Sequence, residues 1–424
     1  MTQDCSITQP AVWVAIDVAK LRHDILVQLP SGKRKHLKIP STLTGFNQLA
    51  TFLHDCGSPC LIGFEATGDY HRPLAHFLHR QGFQLCLISS VAVARTREAR
   101  YNSWDKNDPK DCQVILHLLQ TGTTQIFNDP LVNDYNDLQE MANTYQRISL
   151  HKVQLRHTIM THYLPLYFPE AERYCHNSRA EWFTQLLLLT PCPAAVLAYS
   201  KPEFIEKAGK ISGRKVDKLR LLADFYEAAQ SSIALPVSEQ SQAMAMFRVV
   251  LEEYFGLCRR RQQLEQQVQQ RLADHPDFQR LQTIPGIGPI LALIILAESG
   301  DLRRFSHHRK FLKYCGLDLS TSQSGQSRGQ PKLSKRGNAR LRYAFWMAGA
   351  AAARLPQNSF RRKYDDYINR DPLNADLKRK ARTAVAAKMA RVVYGVIKSE
   401  TDYRRFDEAV MPGGRIPSLG RRGS

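Results

Sequence analysis

The stretch Val12–Val18, VWVAIDV, is a short apolar run rich in β-branched residues, and it carries an acid, Asp17, near its end. Such a run predicts a buried strand. Two further strands are predicted over 24–29 and 33–39, on either side of the turn signal Pro30-Ser31-Gly32. Three short strands joined in this way indicate an antiparallel arrangement.

Helices and strands alternate over the following eighty residues. The apolar spacing predicts helices over 41–54, 70–80 and 109–119, and strands over 61–66 and 83–88. The resulting order, βββαβαβα, is that of the ribonuclease H fold. The sequence therefore predicts an α/β N-terminal domain with the ribonuclease H fold, followed by a mostly helical middle and a helix-rich C-terminal domain.

Four acids fall at the ends of these predicted elements. Asp17 ends the first strand, Glu65 ends the fourth, and Asp108 and Asp111 open the last helix. If the first and fourth strands are neighbours, the four carboxylates converge at one sheet edge. Carboxylate oxygens are preferred ligands of Mg²⁺, so the cluster predicts a pair of magnesium ions acting on a phosphodiester.

Simpler explanations exist for each acid. Asp108 followed by Pro109 and Asp111 is also a typical helix start, with an N-cap acid and proline at the first position. An acid that ends an apolar strand is costly unless it is paired or bound to metal, which favours a functional role for the strand-end acids. Asp69 and Asp105 are rival candidates at neighbouring positions.

The middle of the chain has two heptad seams, over 138–159 and 247–268. They predict either an antiparallel hairpin within the chain or a coiled coil between subunits, and residues 182–235 between them form a helical insert whose role the sequence does not indicate. The predicted domains are an α/β domain over 1–125, a helical region over 126–275, a C-terminal domain over 276–412 and a basic flexible tail over 413–424.

Positive charge is concentrated at one end. Of a net charge of +20, residues 301–424 carry 28 Lys and Arg against 10 Asp and Glu, which predicts a polyanionic partner, DNA or RNA. The apolar runs are too short to span a bilayer, and the nine scattered cysteines fit reduced thiols, so we expect a cytoplasmic, nucleoid-associated protein with no membrane partner. Cys56 and Cys60 fit turn cysteines better than a metal clip.

Candidate nucleic-acid contacts lie in this basic end and in the segment just before it. Residues 281–289, LQTIPGIGP, resemble a helix-hairpin-helix, in which a Gly-X-Gly turn brings backbone N–H groups to a phosphate; a helix-helix turn that only packs is the alternative. The predicted contacts are Gly286, Gly288, Arg328, Lys332, Lys335, Arg336, Arg340 and Arg342.

Ser324 lies in a small-residue segment over 320–329, which predicts a flexible loop that could reach a ligand. A serine hydroxyl needs an activating group before it attacks phosphorus, and no His/Asp pair stands beside it. From composition alone, Ser324 is not distinguished from Ser320, Ser322, Ser327 or Ser334.

The motifs taken together resemble one family. Asp17, the stretches FEATG (64–68), KNDPKD (106–111) and IPGIG (284–288), and Ser324-Gly325 eight residues after Gly316 follow the order found in the DEDD transposases of the IS110 insertion-sequence group. The match extends over 12–119 and 281–398. Asn107, Pro109 and Cys112 depart from the usual motif but leave its carboxylates intact.

The resemblance implies a RuvC-like domain over 1–125, a transposase domain over 276–412 and a function. It implies that Asp17, Glu65, Asp108 and Asp111 bind Mg²⁺ and that Ser324 becomes covalently joined to DNA. It also implies a guiding bridge RNA, and dimers that assemble into a tetramer on element and target DNA. The predicted activity is transposition by a metal-dependent serine recombinase. Two alternatives remain: a RuvC-like nuclease that cuts branched DNA with water, and a non-catalytic nucleic-acid-binding protein.

Overall fold

The computed structural model describes residues 12–404, apart from 67, 102–107, 133, 177–179, 212–217, 322, 325–326 and 330. The side chains of residues 108, 109, 323, 324, 327 and 328 also lie outside the description. The predicted tail over 413–424 therefore lies outside the described residues. The chain divides into two compact units: a sheet unit, Met1–Asp137 with Gly300–Lys310, and a helical unit, Leu138–Ser299 with Phe311–Ser424.

The sheet unit is built on a six-stranded mixed sheet of order β3-β2-β1-β4-β5-β6. Its strands are β1 (Val12–Asp17), β2 (Arg22–Gln28), β3 (Arg34–Pro40), β4 (Cys60–Glu65), β5 (Gln84–Ile88) and β6 (Gln125–Ile126). The first three pair antiparallel, and β1, β4 and β5 run parallel. The α/β class and the order of the first five strands agree with the sequence prediction.

Helices cover both faces of this sheet. They are α1 (Leu43–Asp55), α2 (His71–Arg80), α3 (Ser90–Tyr101) and α4 (Asp108–Gln120). Alternate residues of β1 point to opposite faces, so Val14 and Ile16 pack with α1 and α2, whereas Ala15 packs with α3 and α4. The sequence analysis missed α3, because Val93 is its only buried residue and its apolar periodicity is therefore weak.

A long antiparallel hairpin begins the helical unit. It pairs α5 (Asn136–Thr158) with α11 (Gln242–Arg271). Tyr145 Oη donates to Glu265 Oε1 at 3.0 Å, and His151 Nε2 lies 3.3 Å from Glu253 Oε1. The two predicted seams therefore meet within one chain, as the hairpin alternative expected.

Short helices lie between α5 and α11 along the chain. They are α6 (Leu164–Tyr167), α7 (Ala180–Leu189), α8 (Pro193–Leu197), α9 (Lys201–Gly209) and α10 (Lys218–Gln230). Phe204 and Phe225 stack with centroids 6.1 Å apart, and both are fully buried in one core with Phe247 of α11. The predicted insert is thus a helical subdomain with an aromatic core.

The last part of the chain, from residue 276, contains the basic end; it belongs to the helical unit except for residues 300–310, which belong to the sheet unit. Its elements are α12 (Pro276–Gln282), α13 (Pro289–Ser299), α14 (His308–Tyr314), β7 (Leu319–Ser320), β8 (Gln323–Ser324), β9 (Ser327–Arg328), β10 (Lys332–Leu333), α15 (Ala339–Ala352), α16 (Ser359–Ile368) and α17 (Ala375–Ser399). Among the described residues no helix is both long and apolar enough to cross a membrane. The domain boundaries proposed from sequence stay a prediction.

Candidate active site

Two acids lie at the carboxyl ends of neighbouring strands in the sheet unit. Asp17 is the last residue of β1, and Glu65 is the last residue of β4. The strands are parallel, and Ile16 lies beside Phe64 in their register, so the two acids occupy the next positions. Both acids are half-buried. The expected adjacency of the first and fourth strands is confirmed.

A third acid lies on the helix that covers these strands. α4 packs against β1 and β2, and Cys112 Sγ donates to the backbone carbonyl of Asp24 at 3.2 Å. Gly63 of β4 leaves room for Leu119, because an added Cβ would stand 3.0 Å from Leu119 Cδ1. These contacts hold α4 against the sheet near both of its ends, and the Asp111 side chain in its first half is 4% exposed.

Several carboxylates lie near the Cys112 thiol and affect its pKa. Burial is the largest cause that raises the pKa of Cys112, to about 12, and the charges of Asp17, Asp24 and Asp111 raise it further. A backbone hydrogen bond from the Asp17 region acts in the opposite direction. Asp17 and Asp24 from two strands and Asp111 from one helix therefore all act on the same thiol.

Arg97 of α3 faces the most buried acid. Its Nε lies 2.6 Å from Asp111 Oδ1, and the two side chains are 18% and 4% exposed. The distance is that of a close ion pair, but the two atoms do not meet at the angle of a directed hydrogen bond and have no other hydrogen-bond partner in the described structure. The short distance makes this an ion pair, in which a buried carboxylate beside a guanidinium avoids the cost of an isolated charge.

Asp24 is a further acid that the sequence analysis did not single out. It lies opposite Asp17 in the antiparallel register of β1 and β2. Lys38 from β3 lies 3.1 Å from Asp24 Oδ1, so this carboxylate already has a cationic partner. The signal that could have found it is the short connection between the first two strands, which fixes the residue that faces Asp17.

The remaining acidic candidates are placed less fully. Asp108 opens α4 one turn before Asp111, but its side chain lies outside the described residues, as does Asp105. Asp69 is exposed in the turn before α2. The backbone position of Asp108 is compatible with both the N-cap role and the metal role.

The donor chemistry of this site suits a hard divalent cation. Its candidate ligands are carboxylates, and Asp111 Oδ1 is a buried oxygen without a directed hydrogen bond. In the described conformation, however, the guanidinium of Arg97 takes the cation's place beside Asp111. The described residues contain no group of three His, Cys, Asp or Glu that could hold a metal ion. The residue types fit Mg²⁺, and Arg97 already pairs with Oδ1 of one candidate ligand, Asp111.

Ser324 belongs to the helical unit, so the acids and the serine lie in different units. It ends β8, opposite Ser327 of β9, and the neighbouring strands β7 and β10 form a second antiparallel pair. The predicted flexible loop thus contains one short ribbon, β8–β9, and the β7–β10 pair flanks it. The side chains of Ser324 and Arg328 lie outside the described residues.

Close packing explains two glycines of the basic segment, defined as residues 311–404 of the helical unit. Gly316 has φ +67°, and a Cβ there would lie 2.5 Å from Arg342 Nη1. Gly337 has φ +140°, and a Cβ there would meet the Tyr314 carbonyl oxygen at 2.4 Å. These contacts bring the turn before α15 against the end of α14, with Lys335 and Arg336 exposed beside it.

Glu298 is the centre of a polar cluster behind this turn. Its Oε1 lies 2.6 Å from Arg340 Nη1, and its Oε2 accepts from Asn338 Nδ2 at 2.7 Å. Asn338 caps α15 by accepting from two backbone N–H groups, and Arg342 Nη1 donates to the Cys315 carbonyl at 3.2 Å. Arg340 and Arg342 therefore have protein partners, whereas Lys332, Lys335 and Arg336 are exposed.

The two glycines of the predicted helix-hairpin-helix differ. Gly286 has φ +89°, and a Cβ there would lie 2.4 Å from the Ala348 carbonyl oxygen of α15. Gly288 is exposed, and a Cβ there would meet no described atom within 4 Å. The packing alternative accounts for Gly286, and a phosphate contact stays a prediction for Gly288.

Comparison with known proteins gives matches in both parts of the chain. Residues 14–169 match the DEDD_Tnp_IS110 model, described as a transposase, and residues 278–365 match the model described as the transposase IS116/IS110/IS902 family. Together these matches cover more than half of the chain.

Individual relatives agree with the family matches. The "Mini-circle putative transposase for IS117" of Streptomyces coelicolor is 25% identical over 81% of this chain and 85% of its own length. The "Insertion element IS110 uncharacterized 43.6 kDa protein" of the same organism is 23% identical over 95% of this chain and 97% of its own length. The "Transposase for insertion sequence element IS1111A" of Coxiella burnetii is 30% identical over 30% of this chain and 35% of its own length. The order of the motifs and both family matches lead to one conclusion: the chain belongs to the IS116/IS110/IS902 family of insertion-sequence transposases.

Proposed function

We propose that this transposase cuts and rejoins DNA through a phosphoserine formed on Ser324, with the Asp17, Glu65, Asp108 and Asp111 carboxylates holding Mg²⁺. A bridge RNA and a tetramer built from dimers complete the proposal, because the resemblance of the motifs implies both. The observation that supports it most is that Asp17 and Glu65 end neighbouring parallel strands of the sheet, and that Asp17 and Asp111 both act on the Cys112 thiol.

The acids have a clear task in this proposal. A bound Mg²⁺ pair would offset the negative charge that develops on the attacking and leaving oxygens of a phosphodiester. Asp17 and Glu65 project from rigid strand ends, and Asp111 comes from a helix held by Cys112 and Leu119. Arg97 keeps Asp111 neutralised before cations bind, so the buried carboxylate does not destabilise the fold.

The bonds change as follows. The Ser324 hydroxyl oxygen attacks phosphorus and forms a P–O bond, while its proton is released to water. The bond from phosphorus to one sugar oxygen breaks, and that oxygen leaves as a strand-end hydroxyl after it gains a proton. A hydroxyl of a second strand then attacks the phosphoserine, which restores Ser324 and joins the new strand pair. No net hydrolysis occurs.

The nucleophile is tested with Ser324→Ala against Ser327→Ala, its cross-strand neighbour in the same ribbon. The substrate is the DNA that flanks the gene, with RNA transcribed from the adjacent noncoding segment and Mg²⁺. Wild type and S327A should give protein–DNA adducts that survive denaturation, and S324A should give none while it still binds DNA. Full cleavage by S324A with free DNA ends would replace this proposal with the water-using nuclease.

The same assay tests RNA guidance. Adduct formation should require the RNA, and changing the RNA's pairing segment should redirect the cleavage site. Adducts that form at one fixed site without RNA would remove guidance from the proposal but leave the serine chemistry standing.

A further inference from the structure

The helix α15 presents large apolar side chains away from its own core. It buries Leu341, Ala344, Phe345, Ala348, Gly349 and Ala352. On another face, Tyr343 is 61% exposed, Trp346 is 37% exposed and Met347 is 38% exposed. Trp and Tyr side chains carry much of the binding energy where they meet a ligand, so an exposed pair on one face of a helix needs an explanation.

The rings of Tyr343 and Trp346 are arranged so that another planar group could stack on them. Tyr343 and Trp346 are nearly parallel, with an interplanar angle of 19° and centroids 6.5 Å apart. Arg382 of α17 lies with its guanidinium carbon 5.8 Å from the centroid of the Trp346 ring. A planar cation beside two parallel rings can stack on one face of a base and neutralise a phosphate next to it.

The charge around these rings favours a polyanion. The first half of α17 carries exposed Lys378, Arg379, Lys380 and Arg382. Asp376 is the acid in the first turn of that helix, and it lies 3.4 Å from Arg379. An apolar protein partner would cover the rings but would also remove water from these cations. A nucleotide supplies both a base for the rings and a phosphate for the cations.

We propose that Tyr343, Trp346 and Arg382 form a stacking site for an unpaired base of single-stranded DNA. DNA is the committed ligand because the chain is a transposase, and strand exchange requires strands to leave their duplex. The site rests on the proposed DNA substrate but not on the Ser324 chemistry. The three residues of this site are additional candidate nucleic-acid contacts in the basic segment, and the sequence motifs indicated none of them.

The test measures binding of fluorescein-labelled 12-nucleotide single strands and of the matching duplex. Trp346→Ala should weaken binding to the single strand about tenfold, because base–aromatic stacking contributes this much per base, and should leave duplex binding unchanged. Trp346→Phe should remain within about threefold of wild type, because it keeps a stacking ring.

A substitution at Arg391 is a matched control for a substitution at Arg382, because both residues lie on α17. Arg391 is exposed on α17, about two and a half turns beyond Arg382 and on the opposite side. Arg382→Gln should lower the salt dependence of single-strand binding by about 0.7 in the log–log slope, and Arg391→Gln should change it less. Melting temperatures of all variants should equal that of wild type.

Several results would overturn the site. These are equal loss of single-strand and duplex binding in W346A, a stronger Trp346-dependent preference for RNA of the same sequence, or a change of oligomeric state in W346A. Adduct formation by wild type is measured separately. If adducts form while W346A keeps full single-strand binding, the stacking site fails and the proposed function stands. If no adduct forms while W346A loses single-strand binding, the stacking site stands and the proposed function fails.

Discussion

The acid site of the sheet unit and the basic segment of the helical unit use charged residues in different ways. In the acid site, Asp17 and Glu65 end rigid strands, and Asp111 is balanced by one arginine, Arg97. In the basic segment, Arg340 is held by Glu298, and the exposed cations Lys335 and Arg336 follow a tightly packed turn. A charged residue of a motif can thus have a chemical role in one region and a structural role in the other. The residue that it pairs with indicates which role it has.

The largest expected effect comes from the strand-end acids. Asp17→Asn or Glu65→Gln should lower adduct formation about a thousandfold, because the loss of metal-based charge stabilisation is worth several kcal/mol. Adducts are measured by denaturing gel, and folding by the melting temperature, which should not fall. Asp69→Asn, at an exposed turn, is the control and should keep full activity. Activity retained in both strand-end variants would mean that this end of the sheet is not the metal site.

Arg97→Gln should produce the next largest effect. It leaves Asp111 buried without its cation, which should cost about 3 kcal/mol of unfolding free energy in the absence of divalent ions. Because the guanidinium no longer competes, MnCl₂ should raise the melting temperature of R97Q more than that of wild type.

The control for this variant is Arg95→Gln, which breaks the exposed pair with Glu98 and should match wild type in both measurements. An equal response of R97Q and wild type to manganese would separate Arg97 from the metal site and leave it a purely structural partner of Asp111.

A third test addresses the packed turn. Gly337→Ala places a methyl group 2.4 Å from the Tyr314 carbonyl at a positive φ, and should cost about 2 kcal/mol of unfolding free energy. Gly288→Ala meets no described atom within 4 Å and should cost less than about 1 kcal/mol. Urea unfolding measures both. Equal stability of the two variants would contradict the tight packing of the turn.

The smallest expected effect separates the arginines of the basic segment. Arg336→Gln should lower the log–log salt slope of duplex binding by about 1 and leave the melting temperature unchanged. Arg340→Gln should instead lower stability by about 1 kcal/mol, because Glu298 loses its charged partner. If Arg340→Gln lowers only the salt slope, Arg340 is a phosphate contact, and the contrast drawn between the two regions fails.

Much of the acid site could be predicted because it depends on local order. The period of the apolar residues located β1 and β4 and put Asp17 and Glu65 at their ends, and the pairing of the two strands in the structure meets the condition under which these acids converge. α3 was missed because it buries a single residue, and Arg97 was missed with it.

What the sequence determined by itself is the element order of the sheet unit, the excess of cations in the last 124 residues, and the motifs that assign the family. What only the tertiary structure decided is which charges are balanced: Asp111 by Arg97, Asp24 by Lys38 and Arg340 by Glu298. The physical reason is range. Apolar periodicity acts over a few residues and can be read along the chain, whereas an ion pair forms between residues that folding alone brings within a few ångströms.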